Sequence, residues 1–106
     1  MRLVRTPSQT VGPYLHIGLV GSFGPELVPP GAPGAIRIHG HVIDGAGDAV
    51  PDALVEVWQA GPDGHYGGDF AGFARCDTRD GGRFEFVTVK PGRVHSPDGG
   101  FQAPHL

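Results

Sequence analysis

Every second residue is apolar in short stretches of this chain, and each stretch is closed off by Gly, Pro or Asp. A period of two matches the alternation of side chains across a β-strand, whereas a helical face needs 3.6. Ile36, Ile38 and Val42 alternate with Arg37, His39 and His41. Ala53, Val55 and Val57 fall on one face, with Leu54, Glu56 and Trp58 on the other, and Phe84 and Phe86 share a face within residues 83–89. The 19 Gly and 11 Pro exceed a quarter of the 106 residues, which as bare composition would suggest disorder. They cluster between the apolar runs, where a β-rich chain places its turns. No helical period occurs, so the pattern predicts an all-β fold, a β-sandwich.

Along the chain, residues 1–34 have little periodicity and read as an N-terminal arm and linker; Leu15 to Val20 is the one short strand candidate, and 21–34 holds too many Pro and Gly for a regular element. Residues 35–106 read as a partial sandwich core. The segment 35–60 predicts a β-hairpin whose loop, Asp44 to Asp48, supplies residues tolerant of positive φ. Pro51 precedes the second strand, where a missing N–H does least harm. Gly61 to Asp80 reads as one long Gly- and Asp-rich loop, Asp80 to Gly82 as a turn, Lys90 to Gly92 as a strand end, and the tail after it as incomplete. Three strands cannot cover both faces of a sandwich, so either more chain follows in the intact protein or a partner chain completes the fold; the expectation is the former, with this part alone inactive and poorly folded.

Charge and cysteine content narrow the partners. The net charge of −3 and the scattered Lys and Arg offer no basic stripe, which argues against nucleic acid. The apolar runs are too short to span a bilayer, and the basic N-terminus lacks the apolar core of a signal peptide. Cys76 is the sole cysteine, which excludes an internal disulfide and suits a reducing, cytoplasmic setting as a half-buried structural thiol.

Four segments in order resemble the intradiol ring-cleavage dioxygenases: TPSQTVGPY (6–14), GHVIDGAGDAVPDALVEVWQA (40–60), DGGRFEFVTVKPG (80–92) and QAPHL (102–106). The resemblance implies a β-sandwich enzyme that opens a small aromatic diol with O₂ at a mononuclear Fe(III) held by two Tyr and two His. A hard phenolate oxygen favours the ferric state and imidazole suits iron. The family's first ligand Tyr follows WQA by a few residues and is matched by Tyr66. The second follows KPG by one residue, and Val94 stands there. The first ligand His is matched by His105, the second would fall beyond Leu106, and the family's catalytic Arg shortly before the first His is replaced by Gln102.

A valine cannot ligate iron. The resemblance therefore implies the α-type subunit of a hetero-oligomer, whose partner β subunit holds the iron, with this chain contributing its arm: Gly12, Pro13 and Tyr14 would line the substrate pocket. Gly12 would allow close backbone approach, Pro13 would stiffen the arm, and Tyr14 would offer a ring face and a hydroxyl.

Plainer readings stand beside these. Tyr66 in a Gly-rich loop also reads as a packing residue, His105 as a surface histidine, and Gly12 to Tyr14 as an ordinary turn. His39 and His41 share a strand face, but two imidazoles do not complete a metal site. Glu56 and Glu85 read as a solvated face, and Trp58 as core or interface. A non-catalytic carboxypeptidase-regulatory-like or transthyretin-like module would share the strand pattern, though it has no need of the SQT-x-GPY arm.

Overall fold

The computed structural model describes residues 2–10, 12, 18 and 23–106. Its regular elements are all strands: β1 (Ala35–His41), β2 (Leu54–Trp58), β3 (Phe73–Asp77), β4 (Arg83–Val89), β5 (Val94–His95) and β6 (Phe101–Gln102). The all-β expectation holds. The candidate strand at 15–20 lies almost entirely outside the described residues.

The pairing differs from the local hairpin that the sequence suggests. β1 pairs antiparallel with β4, Ile38 opposite Phe86 and His39 opposite Glu85, while β2 pairs with β3 in a second sheet. The turn itself forms as expected: the Asp44 carboxylate accepts the N–H groups of Ala46 and Asp48, both at 2.9 Å. It closes only the Ile43–Ala49 bridge and the Val50 N–H to Val42 carbonyl bond of 3.0 Å. Beyond it, Pro51 has no N–H to continue a ladder. The buried hydroxyl of Thr78 donates to the Val50 carbonyl at 2.7 Å and accepts the Ala53 N–H at 2.9 Å. The chain is thereby captured by the β3–β4 connection and crosses to the other sheet.

Two further corrections concern loops. The Gly61–Asp80 segment contains β3, whose inner face is made of Ala74 and Cys76, too small to give an apolar signal. The tail is not shapeless, since β5 and β6 pair as a short hairpin with Val94 opposite Gln102. Its turn is fastened by the Asp98 carboxylate, which accepts the Gly100 N–H at 3.1 Å.

The core sits where β4 meets the second sheet, around Phe86, Val87, Val89, Ala74 and Ala60. Phe84 lies over Gly40 so closely that a Cβ there would stand 2.7 Å from its Cζ, so a larger residue at that point of β1 would have to displace the ring. On the opposite face of the pair, Glu85 accepts from Arg37 Nη1 at 2.6 Å and Arg83 Nη2 at 2.5 Å. The Arg83 hydrogen bond, with the charge of both guanidinium groups, holds this carboxyl below its ordinary value of 4.5. A depressed folded value means that Glu85 favours the folded state above pH 4.5 and loses that contribution as pH falls through its own midpoint. A carboxyl-detected NMR titration should place that midpoint below 4.5; a midpoint at or above it would show that the Arg pair is not formed in solution.

Candidate functional site

The loop leaving β2 begins with two fully buried residues, Gln59 and Ala60. The Gln59 side chain reaches β4: its Oε1 accepts from the Thr88 hydroxyl at 2.5 Å, and its Nε2 donates to the carbonyls of Val89 at 3.0 Å and Ala60 at 3.1 Å. Buried amides hold their places through such complete pairing, because an unsatisfied partner in this environment is expensive. Past this anchor the chain folds into a tight turn. Gly64 N–H donates to the Gly61 carbonyl at 2.9 Å, and Gly61 N–H to the His65 carbonyl at 2.8 Å.

That turn rests on the one after β4. Gly92 N–H donates to the Gly61 carbonyl at 2.9 Å, and Gly64 packs so tightly on the Arg93 carbonyl that a Cβ there would overlap it. Two of the predicted ligand positions are therefore neighbours of one backbone contact: Tyr66 lies two residues after Gly64, and Val94 directly follows Arg93.

The side chains then diverge. The Tyr66 ring stacks on Trp58, with centroids 5.5 Å apart and planes within 12°. Both rings are substantially exposed, Trp58 at 58% and Tyr66 at 43%, so Trp58 belongs to the surface rather than the core. Tyr66 borders a shallow cavity of about 510 Å³ together with Pro62, Asp63, His65, Asp69 and Phe70. Neither Val94 nor His105 lines it. Val94 is held in the β5–β6 hairpin, on which the Arg93 guanidinium lies 4.0 Å from the Phe101 ring centroid and the His95 ring 4.3 Å from it. His105 is exposed, with Nδ1 bonded to the Ala103 carbonyl at 2.8 Å.

Among the described residues, then, the three positions at which the resemblance expects ferric ligands present one phenol, one hydrocarbon and one imidazole already engaged through Nδ1. No group of three or more His, Cys, Asp or Glu side chains there could hold a metal ion, His39 and His41 included. With a hydrocarbon at Val94, where the resemblance expects a second phenolate, this donor set does not fit a ferric centre held by two tyrosines.

Of the arm residues named from the sequence, Pro13 and Tyr14 lie outside the described residues. Gly12 has φ of +56° and donates its N–H to the Thr10 hydroxyl at 3.1 Å, and among the described residues nothing lies within 4 Å of a Cβ added there. The Gln59–Thr88 bond was not legible as a site feature. Its only signal was a threonine in phase with Phe84 and Phe86 on β4.

A family model described as dioxygenase matches residues 24–104. Over 98% of its length the chain is 41% identical to the protocatechuate 3,4-dioxygenase alpha chain of Pseudomonas putida and 36% identical to that of Burkholderia cepacia. It spans 61% of the length of each of these relatives. It is also 40% identical, over 54% of its length, to the protocatechuate 3,4-dioxygenase beta chain of Burkholderia cepacia, covering 29% of that protein.

Proposed function

The chain belongs to the intradiol ring-cleavage dioxygenase family, and on that premise we propose that it is an α-type subunit of a protocatechuate 3,4-dioxygenase. In this reading the enzyme opens protocatechuate with O₂ to 3-carboxy-cis,cis-muconate. The family is iron-dependent, and the Fe(III) is held mainly by a partner β subunit. The observation that supports the reading is Val94: it follows the Gly64–Arg93 contact, where the resemblance expects the second ligand tyrosine, and its hydrocarbon side chain cannot bind a metal.

The roles left to this chain are binding and shaping. Its arm, through Gly12, Pro13 and Tyr14, would line the pocket in which the partner's iron works, and the cavity beside Tyr66 would be a vestige without chemistry. The stronger similarity to the α chains, extending over nearly the whole sequence, supports the α over the β assignment. The family match displaces the alternative of a non-catalytic sandwich module. A cytoplasmic location is part of the same proposal, resting on the half-buried, unpaired Cys76.

The test is co-expression of the full-length chain with its candidate β partner. The purified complex should carry the red-brown colour of ferric phenolate and consume oxygen on protocatechuate, and the chain purified alone should be colourless and inactive. Ferric colour in the chain alone would overturn the α assignment.

A further inference from the structure

Aspartate followed by glycine occurs four times in the chain, at residues 44–45, 63–64, 80–81 and 98–99. This dipeptide carries a reaction of its own. The glycine nitrogen attacks the aspartate Cγ, the N–Cγ bond forms, the Cγ–O bond breaks and water leaves, closing a succinimide ring. Water then adds back at either carbonyl of the ring. Addition at the main-chain carbonyl leaves the peptide link running through the side chain, as isoaspartate. Nothing but water enters or leaves, so no oxidant or other co-reactant is needed. Glycine is the favourable neighbour because it has no Cβ to obstruct the approach.

Three of the four carboxylates are tied down. Asp44 accepts the N–H groups of Ala46 and Asp48, both at 2.9 Å. Asp63 accepts the His65 N–H at 3.0 Å, and Asp98 accepts the Gly100 N–H at 3.1 Å. Each bond draws a carboxylate oxygen onto a donor beyond the glycine nitrogen that would attack. It also favours the ionised carboxylate, which is a poor electrophile. The Gly100 N–H, for instance, holds the Asp98 carboxyl below its ordinary value of 3.8. At two of these sites the attacking nitrogen is engaged as well. Gly64 N–H donates to the Gly61 carbonyl at 2.9 Å, and Gly99 N–H to the Ser96 carbonyl at 3.0 Å.

Asp80 differs. It and Gly81 are both exposed, and its carboxylate has no hydrogen bond or ion pair among the described residues. The guanidinium groups on either side turn to other acids, Arg79 Nη2 to Asp77 at 4.0 Å and Arg83 Nη2 to Glu85 at 2.5 Å. Gly81 N–H donates to the Arg79 carbonyl at 3.1 Å, but across the small ring of a γ-turn, where the bond is bent.

We propose that Asp80–Gly81 is the site at which the folded chain isomerises spontaneously to isoaspartate, the other three Asp–Gly pairs being held back by their carboxylate bonds. This goes beyond the α-subunit reading and depends on neither a metal nor a partner. The position gives the change a structural effect. Isoaspartate adds a carbon to the main chain in the turn between β3 and β4. In that turn Gly82 N–H donates to the Thr78 carbonyl at 2.9 Å, and the Gly82 carbonyl accepts the Val42 N–H at 2.8 Å. A Cβ on Gly82 would stand 2.7 Å from the Val42 carbonyl, so a lengthened turn has little room to bulge inward. The end of the β1–β4 pair next to Val42 is therefore loosened.

The experiment ages the full-length chain at neutral pH, warm but below its melting temperature. Chymotryptic peptides are then fragmented by electron transfer, which separates isoaspartate from aspartate at each Asp–Gly pair. Isoaspartate at Asp80 is expected to accumulate about fivefold faster than at Asp44, Asp63 or Asp98, the factor that one net hydrogen bond supplies. In denaturing urea the four rates should converge to within about twofold, since no turn remains to hold any carboxylate. Asp80→Glu keeps the charge but would have to close a larger ring, and should form no isomer at that position. Hydrogen exchange at the Val42 amide should quicken about tenfold in the isomerised fraction, and stay unchanged in aged Asp80→Glu.

Equal rates at the four sites of the folded chain, or a faster rate at a tied one, would overturn the selectivity. An Asp80 that stays intact in the folded chain while it isomerises in urea would overturn the site itself. Unchanged Val42 exchange in the isomerised fraction would overturn the effect on β1.

Discussion

Gly64→Ala is expected to destabilise the protein by about 3–4 kcal/mol, and Gly67→Ala by only about 1 kcal/mol. The two glycines have the same backbone, with φ of +81° and +80°. A side chain in that region is strained in either case, at roughly 1 kcal/mol for alanine. Only their surroundings differ. At Gly67 an added Cβ meets nothing within 4 Å, whereas at Gly64 it would run into the Arg93 carbonyl, a backbone atom that cannot swing aside as a flexible side chain can. Relief would require the 61–65 turn to back away from the 91–93 turn, breaking the Gly92–Gly61 bond and loosening the Tyr66–Trp58 stack. Against a typical stability of about 5–15 kcal/mol the loss is a large fraction. Urea unfolding of both variants, followed by the fluorescence of Trp58, measures the contrast, and equal midpoints would mean that the two turns do not touch in solution.

How much of this could be read from the sequence depends on whether a feature is carried by side-chain pattern or by backbone contact. β1, β2 and β4 were legible because Ile36 and Ile38, Val55 and Val57, and Phe84 and Phe86 repeat at the strand period. Their partners were not, since alternation says which face a residue takes and nothing about which strand lies beside it. The hairpin expectation failed at Pro51 and Thr78, where one missing N–H and one buried hydroxyl redirect the chain. β3 was hidden because Ala74 and Cys76 bury little surface, while Phe73, Arg75 and Asp77 mix ring and charge on the outer face.

The candidate site divides in the same way. Tyr66, Val94 and His105 could be singled out only through resemblance, and the structure explains why composition was silent. What brings the first two near each other is the contact of Gly61 and Gly64 with Gly92 and Arg93, which is made entirely of main-chain atoms. A branched hydrocarbon suits the place of Val94 in the fold, a part-buried position of β5 paired with Gln102.

The buried amide at the start of the site loop gives the second large effect. Gln59→Met should cost about 2–4 kcal/mol, although methionine nearly matches glutamine in volume. Packing is conserved, but the Thr88 hydroxyl loses the acceptor it holds at 2.5 Å, and the Val89 and Ala60 carbonyls lose a donor. Thr88→Val should cost about 1–3 kcal/mol, because the Gln59 carbonyl oxygen is then left without a partner in a site that water does not reach. If the two side chains act as one bonded unit, the double variant will be more stable than the sum of the singles implies, by about 1–2 kcal/mol, since the second change removes a group that the first had already orphaned. Thermal or urea unfolding of the four proteins closes the cycle. Strict additivity would mean that Gln59 does not hold the loop leading to Tyr66 through Thr88, and that the loop is placed by its glycine contacts alone.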